Sequence, residues 1–416
     1  MLYYLKNTNI FILSLLVTFF FSCNNGLQEE KRKLFFQENS EAAIRSLEQM
    51  MGPTGYQQST NANSETTYER FKLIHISDPH LSEWTADNNY AHPINLMEAI
   101  EFANLPQLKI NAFVATGDFI SNKKSTSAFD ASLYQQSFNS FLFAKNNVPT
   151  FICTGNHDTN MLTNNTQNYL SKQDLHRLLF AKTNYPLCQP QGENYYYADI
   201  PNPSGGTIRI IALDNTDQKD FTHNSLHTSC ITQKQIDWLT EIALTKDMSK
   251  NHNVIILTHH PLQKFSKDLS TYMCSGTHLY EPHLIPDIIN AFIKKQALNR
   301  TYHSTLSPKQ SIIVKHNFSG SPGDFICYMG GHAHTPAYFE VSCNDNQQAK
   351  QIMLLANTLS PDLQNNNYNY VYRKKENLNS NSFSIYAIDI KEKNIYITDF
   401  GAKSNNISTI RTISYR

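Results

Sequence analysis

Apolar residues in this chain fall into short runs, each closed almost at once by polar residues or glycine. Phe71 to Ile76, Ala112 to Ala115, Pro149 to Cys153, Ile208 to Leu213, Val254 to Leu257 and Phe325 to Met329 have the length and composition of strands. Between them, apolar positions recur at helical spacing over Ile94 to Ala103, Ser132 to Ala144 and Thr232 to Leu244. The last of these puts Ile236, Leu239 and Ile242 on one face, with Thr232 placed to cap it. Strands alternating with helices predict a layered α/β fold whose sheet lies between helices. Further on the pattern changes. Tyr338 to Val341, Gln351 to Leu355, Ser382 to Ile390 and Asn394 to Phe400 succeed one another without clear helices, which predicts that they complete a second sheet packed on the first within one domain. Asn160 to Gly192 and Phe265 to Gly323 lack a regular pattern and are expected to hold lids or small helices that set specificity.

The first residues follow another pattern. Lys6 precedes an apolar run from Ile10 to Phe21, interrupted only by Ser14 and Thr18 and too short to span a bilayer comfortably. Ser22-Cys23 follows at once and resembles the cleavage site of a bacterial lipoprotein signal, although Phe20 stands where such signals usually carry Leu. Residues 1–23 are therefore expected to be a signal peptide, with Cys23 lipidated and the mature protein tethered to a membrane in the cell envelope. Cleaved secretion and an uncleaved anchor are the alternatives. Residues 24–70 are polar and read as a tether, with one helix around Glu41 to Met51. The folded domain is expected over 71–402, with a C-terminal tail over 403–416.

Lys+Arg and Asp+Glu are equal at 35 each, so no global field draws the protein to nucleic acid or an anionic bilayer, and a small, locally recognised substrate is expected. Besides Cys23, six of the seven cysteines remain. Cys153 and Cys327 lie in apolar strand-like runs and are expected to be buried thiols. Cys188, Cys230, Cys274 and Cys343 sit in loop-like sequence and are the better disulfide candidates of an exported chain.

Five polar clusters close these runs: Asp78-Pro79-His80, Gly117-Asp118, Gly155-Asn156-His157-Asp158, His259-His260-Pro261 and Gly331-His332-Ala333-His334. Their donors are carboxylate, amide oxygen and imidazole without thiolate, a set that suits Mn, Fe or Zn at a catalytic site. Asp78 and His80 alternate on what would be one face of an extended segment, so both can reach one ion. Gly117 permits a sharp turn that aims Asp118 over the sheet edge, where a carboxylate can bridge two cations. Asn156 offers an uncharged ligand, His157 can approach the substrate, and Asp158 can orient the His157 ring. One of His259 and His260 is expected to bind metal while the other packs beside it. His332 and His334 alternate toward one pocket as Asp78 and His80 do.

Taken together and in this order, the five clusters resemble the calcineurin-like metallophosphoesterase superfamily over about Phe71 to Thr335. The resemblance implies a four-layer αββα sandwich of two mixed β-sheets flanked by helices, and a centre of two divalent or trivalent ions. By motif position it makes Asp78, His80 and His334 ligands of one metal and Asn156, His259 and His332 ligands of the other, with Asp118 shared. His259 is preferred to His260 because the family motif often reads His-x-Pro. The implied reaction is hydrolysis of phosphate mono- or diesters by a metal-bridging hydroxide, with His157 and Asp158 serving the substrate. A nucleotide-directed hydrolase is the narrower alternative, and a non-catalytic phosphate-binding protein the more distant one.

Overall fold

The computed structural model describes residues 69–80, 91–120, 127–144, 146–160, 169–180, 183–217, 229–262, 283–303, 311–332, 337–341, 352–356, 382–401 and 411–415. Two six-stranded sheets form its middle. The first has β1 (Phe71–Ile76), β2 (Ala112–Thr116) and β3 (Thr150–Cys153) in parallel at one end. The second takes β4 (Tyr196–Pro201), β5 (Thr207–Ala212), β6 (His252–Leu257) and β9 (Asp324–Gly330), of which β5, β6 and β9 run parallel. A separate hairpin, β7 (Ala297–His303) with β8 (Ser311–Asn317), precedes β9.

The two-residue period of the strands sorts their side chains into separate layers. Ile208, Ile210, Ala212, Ile255 and Leu257 pack with Ile74, Val114, Phe151 and Ile385 of the facing sheet. Their neighbours Ile211, Leu213, Val254 and Ile256 point the other way, onto Ile236, Leu239, Ile288 and Phe292 of the helical layer. Both faces of these strands are buried, which is why they read as continuous apolar runs rather than alternating ones. Each such side chain contributes about 1.5–3 kcal/mol on burial. On the other side, α1 (Ala91–Ala103) sets Phe102 against Phe383 and Phe400 of the first sheet, and α2 (Ala128–Ala144) adds Phe138 and Leu142 to the same core. The result is helices, sheet, sheet, helices.

The expected strands and helices form, with several differences of register and partner. The C-terminal strands complete the second sheet only in part. β10 (Ala337–Val341) and β11 (Ile352–Ala356) extend the second sheet, whereas β12 (Ser382–Asp389) and β13 (Asn394–Gly401) extend the first, β12 lying antiparallel against β1. A parallel β1 has two hydrogen-bonding edges, and local pattern cannot say which distant strand takes the second. The expected tail also contains a strand, β14 (Arg411–Ser414), on the edge of β13. Its two exposed faces leave little pattern to read.

Thr232 does cap its helix, accepting the Gln235 N–H, but the helix is α only over α4 (Gln233–Trp238) and continues as a π turn over Leu239–Ala243. The two patternless segments hold small elements as expected: α3 (Lys172–Leu175), and α5 (Leu284–Lys294) followed by the β7–β8 hairpin. Tyr195 to Tyr197 serve packing, and the Tyr196 hydroxyl bonds both the N–H and the carbonyl of Ile152 at 2.8 Å. That caps the exposed edge of β3 with a side chain of the other sheet. Cys153 and Cys327 are buried thiols as expected, but Cys188 and Cys230, expected as disulfide candidates, are also thiols, the first exposed and the second buried. The signal, the tether up to residue 68, Cys274, Cys343 and His334 lie outside the described residues, among which no helix is long and apolar enough to cross a membrane.

Candidate metal centre

The carboxyl ends of β1, β2 and β3 in one sheet and of β5, β6 and β9 in the other meet at a single edge of the sandwich. Backbone hydrogen bonds bind these ends together. Asp78 N–H donates to the Gly117 carbonyl and His80 N–H to the Asp118 carbonyl, both at 3.0 Å, and Gly331 N–H donates to the His259 carbonyl at 2.8 Å.

The segment after β1 is not extended, as the alternation of Asp78 and His80 had suggested. Asp78, His80, Asp118 and His332 all have positive φ, between 44° and 66°. Tight left-handed turns, rather than strand pleating, gather these side chains, a conformation that costs a non-glycine residue energy and recurs at functional sites. Glycine is needed where the segments touch. A Cβ on Gly155 would lie 2.3 Å from Asp118 Oδ1, and one on Gly331 would lie 2.6 Å from Asp78 Oδ2.

Asp118 stands at the centre, buried between both sheets. Its Oδ1 accepts the His157 N–H at 2.8 Å, while Oδ2 lies 3.1 Å from His259 Nε2 and 3.9 Å from both His80 Nε2 and His157 Nε2. Among the described residues its charge is thus met by imidazoles alone. His259 Nδ1 contacts the Thr116 carbonyl at 2.7 Å, so that nitrogen carries a hydrogen and Nε2 is the atom turned to Asp118 Oδ2. Burial would push the Asp118 carboxyl up, but His259 and His157 outweigh it and hold it well below the usual range. Burial works in the opposite sense on His259, and the Asp118 carboxylate overcomes it, raising the imidazole to about 9. The two shifts run in opposite directions, yet both favour the charged form, so the pocket stabilises a positive charge beside Asp118.

His332 completes a second cluster, its ring 5.1 Å from that of His259 and its N–H donating to both Asp78 oxygens at 3.1 and 3.2 Å. Ligand atoms of His80, Asp118 and His157, and separately of Asp118, His259 and His332, lie within 4.8 Å of one another. Asp118 belongs to both groups, as a shared ligand must. The buried Asn156 side chain has neither its oxygen nor its nitrogen hydrogen-bonded among the described residues, and the same holds for Asp118 Oδ2 and His259 Nε2. Unmet acceptors at buried positions are costly unless a cation completes them. Carboxylate, amide oxygen and imidazole are the donors a hydrolytic metal takes. Burial holds the nearby Cys153 thiol protonated, outside the donor set. The residues present therefore fit a pair of metal ions.

A family model for calcineurin-like phosphoesterases matches residues 71–289, more than half of the chain. The chain belongs to this family. No curated protein matches it. Calcineurin-like phosphoesterases are metal-dependent hydrolases that use dinuclear centres, and the two groups sharing Asp118 have the arrangement such a centre requires. The match stops before β9, so His332 enters the phosphoesterase site through tertiary structure.

The structure brings together Asp78, His80, Asp118, Asn156, His157, His259 and His332. His260 packs its ring 4.3 Å from that of His332, while His259 is the imidazole aimed at Asp118. The expected contact of Asp158 with the His157 ring is not made. Asp158 Oδ1 instead accepts the N–H groups of Phe119 and Ile120 and the Gln135 amide, and Oδ2 those of Asp118 and Gly155. It is a buried brace for two motif loops, and adjacency in sequence misled because the 3₁₀ turn over His157–Thr159 buries Asp158 and leaves His157 partly exposed. Burial and the Asp118 charge push the Asp158 carboxyl up to about 7, against the pull of the Gly155 N–H and Gln135 amide donors.

Sequence reasoning assigned no chemistry to Asp214-Asn215, which follow β5. Asn215 Oδ1 accepts the N–H groups of His259 and His260 at 2.9 and 3.3 Å, and Asp214 Oδ1 accepts the Thr154 hydroxyl at 2.7 Å. The available signal was position: these residues close a buried strand just as the five clusters do.

Proposed function

We propose that this phosphoesterase hydrolyses small phosphate mono- or diesters outside the cytoplasm, tethered to a membrane by lipid on Cys23. The observation that carries the hydrolytic reading is the convergence of His80, His157 and His259 on the one oxygen of Asp118. The export reading rests on the apolar run from Ile10 to Phe21 followed by Ser22-Cys23.

In this reading Asp118 would be the ligand common to both ions, with Asp78, His80 and His334 holding one and Asn156, His259 and His332 the other. Once bound, such ions would supply Lewis acidity toward the phosphoryl oxygens and an acidified water. The chain's own residues do the rest. Thr116 fixes the His259 tautomer through its carbonyl, and Asp158 braces the loops of Asp118 and Asn156 from behind. His157 keeps 18% of its side chain exposed in a pocket that otherwise buries its imidazoles, which gives it access to the substrate. From there it stabilises the phosphoryl transition state or returns a proton to the leaving oxygen.

The test is hydrolysis of aryl phosphate mono- and diesters by metal-stripped protein reloaded with Mn, Fe, Zn or Mg. Turnover that appears with one of these ions and vanishes on chelation is expected; activity indifferent to chelation would refute the mechanism. For the tether, lipid labelling of the expressed protein should disappear in Cys23→Ala, and labelling unaffected by that change would exclude it.

A further inference from the structure

We infer that Asp214 and Asn215 are positioning residues that hold the two halves of the Asn156/His259/His332 ion site in register across the sheets. The inference rests on the two-ion reading above. Asn156 comes from the first sheet and His259 from the second, so the site exists only if the two sheets are fixed against each other at this edge. Asp214-Asn215 is the covalent joint that touches both. Asp214 Oδ1 accepts the hydroxyl of Thr154, two residues before Asn156, and also the Thr216 N–H and hydroxyl. Asn215 Oδ1 gathers three donors of the segment after β6: the His259 N–H, the His260 N–H and the Thr258 hydroxyl.

The joint is itself anchored. Asn215 Nδ2 donates to Ser229 Oγ at 3.1 Å, its carbonyl accepts the Cys230 N–H at 2.8 Å, and Gln235 clamps Asp214 with one bond to its N–H and one from its amide to its carbonyl. His259 is thereby held at two points, the backbone by Asn215 and the ring by the Thr116 carbonyl. Amide chemistry suits the position. Asparagine accepts from the His259 segment while donating to Ser229, and it adds no charge to a buried region that already contains Asp214, Asp217 and Asp118. Outer partners of metal ligands typically change affinity about 10–100-fold when removed.

Mn²⁺ titrated into the metal-stripped full chain, followed by calorimetry and by the exchange-coupled EPR signal of the paired ions, tests this. The parent protein should take up two ions. Asn215→Ala should keep one and bind the second about 10–100-fold more weakly, with loss of the coupled signal and a fall in kcat rather than a rise in KM. If Asn215→Ala binds both ions as the parent does, the inference is wrong while the two-ion reading stands; a parent that takes up fewer than two ions removes that reading itself. Should Asn215→Ala melt below the assay temperature, Ser229→Ala serves instead: it leaves the acceptor but frees its anchor, and an unaltered second affinity there overturns the proposal equally.

Discussion

Asp118 Oδ2 has three imidazole nitrogens within 3.9 Å and no hydrogen-bond donor among the described residues, so its charge is balanced by whatever sits between those rings. Asp118→Asn keeps the shape and removes the charge. Metal affinity and aryl phosphate turnover should both fall by more than about a hundredfold, since even an outer partner costs up to that much. His157→Ala should behave differently: Mn²⁺ stoichiometry measured by mass spectrometry stays at two, while kcat falls by about 10²–10⁴, the range of general acid–base contributions. Loss of an ion in His157→Ala would make that residue a ligand instead. Asp158 illustrates the limit of local inference. Its neighbour in sequence is His157, but its five donors come from Asp118, Phe119, Ile120, Gln135 and Gly155, most of them about forty residues away along the chain.

Among the elements, the turns after the strands carry the site and the helices only support it. Gly155→Ala would drive a Cβ to within 2.3 Å of both the Asp118 N and its Oδ1, groups that cannot retreat because both are already bonded. The folded protein should lose metal binding in a Mn²⁺ titration even where circular dichroism is preserved. By contrast Thr232→Ala removes a cap of α4 and the hydrogen bond its hydroxyl gives Asp217, which should cost about 1–3 kcal/mol in urea unfolding while metal binding is kept. The strands and helices that frame these turns were legible from periodicity. The left-handed turns at Asp78, His80, Asp118 and His332 were not, because only glycine announces positive φ in a sequence.

For the whole molecule, closure of the first sheet depends on residues well beyond the family match. β12 lies directly against β1 and brings Phe383, Ile385 and Tyr386 into the main core. A chain ended at residue 381 should therefore fail to give soluble folded protein, whereas one ended at 410 loses β14 with the partly buried Ile413 and Tyr415 and should still fold, with a lower melting temperature. Acid stability has a separate origin, in the cluster behind the site where Lys172 joins Glu193 and Asp217. Burial raises the Glu193 carboxyl, but Lys172 and Lys234 outweigh it and hold the group below its ordinary 4.5. The unfolded chain binds the proton more readily, so this stabilisation is complete above about 4.5 and is lost as pH falls through the lower folded value. Glu193→Gln should destabilise the protein near neutrality and flatten the decline of its melting temperature below pH 4.5.

The sequence by itself determined the strands, the layered class, the donor chemistry and most of the residues that meet at the edge, because strand ends and ligand types are local properties. Asp118 as the shared carboxylate and His259 over His260 came from motif order, which a related fold had already written into the chain. Tertiary structure alone decided the rest. It divided the C-terminal strands between two sheets, turned Asp158 from a partner of His157 into a brace, and made Asp214-Asn215 the joint between Thr154 and His259. These depend on which distant backbone donors face a given acceptor, a relation between segments that no local pattern of residues contains.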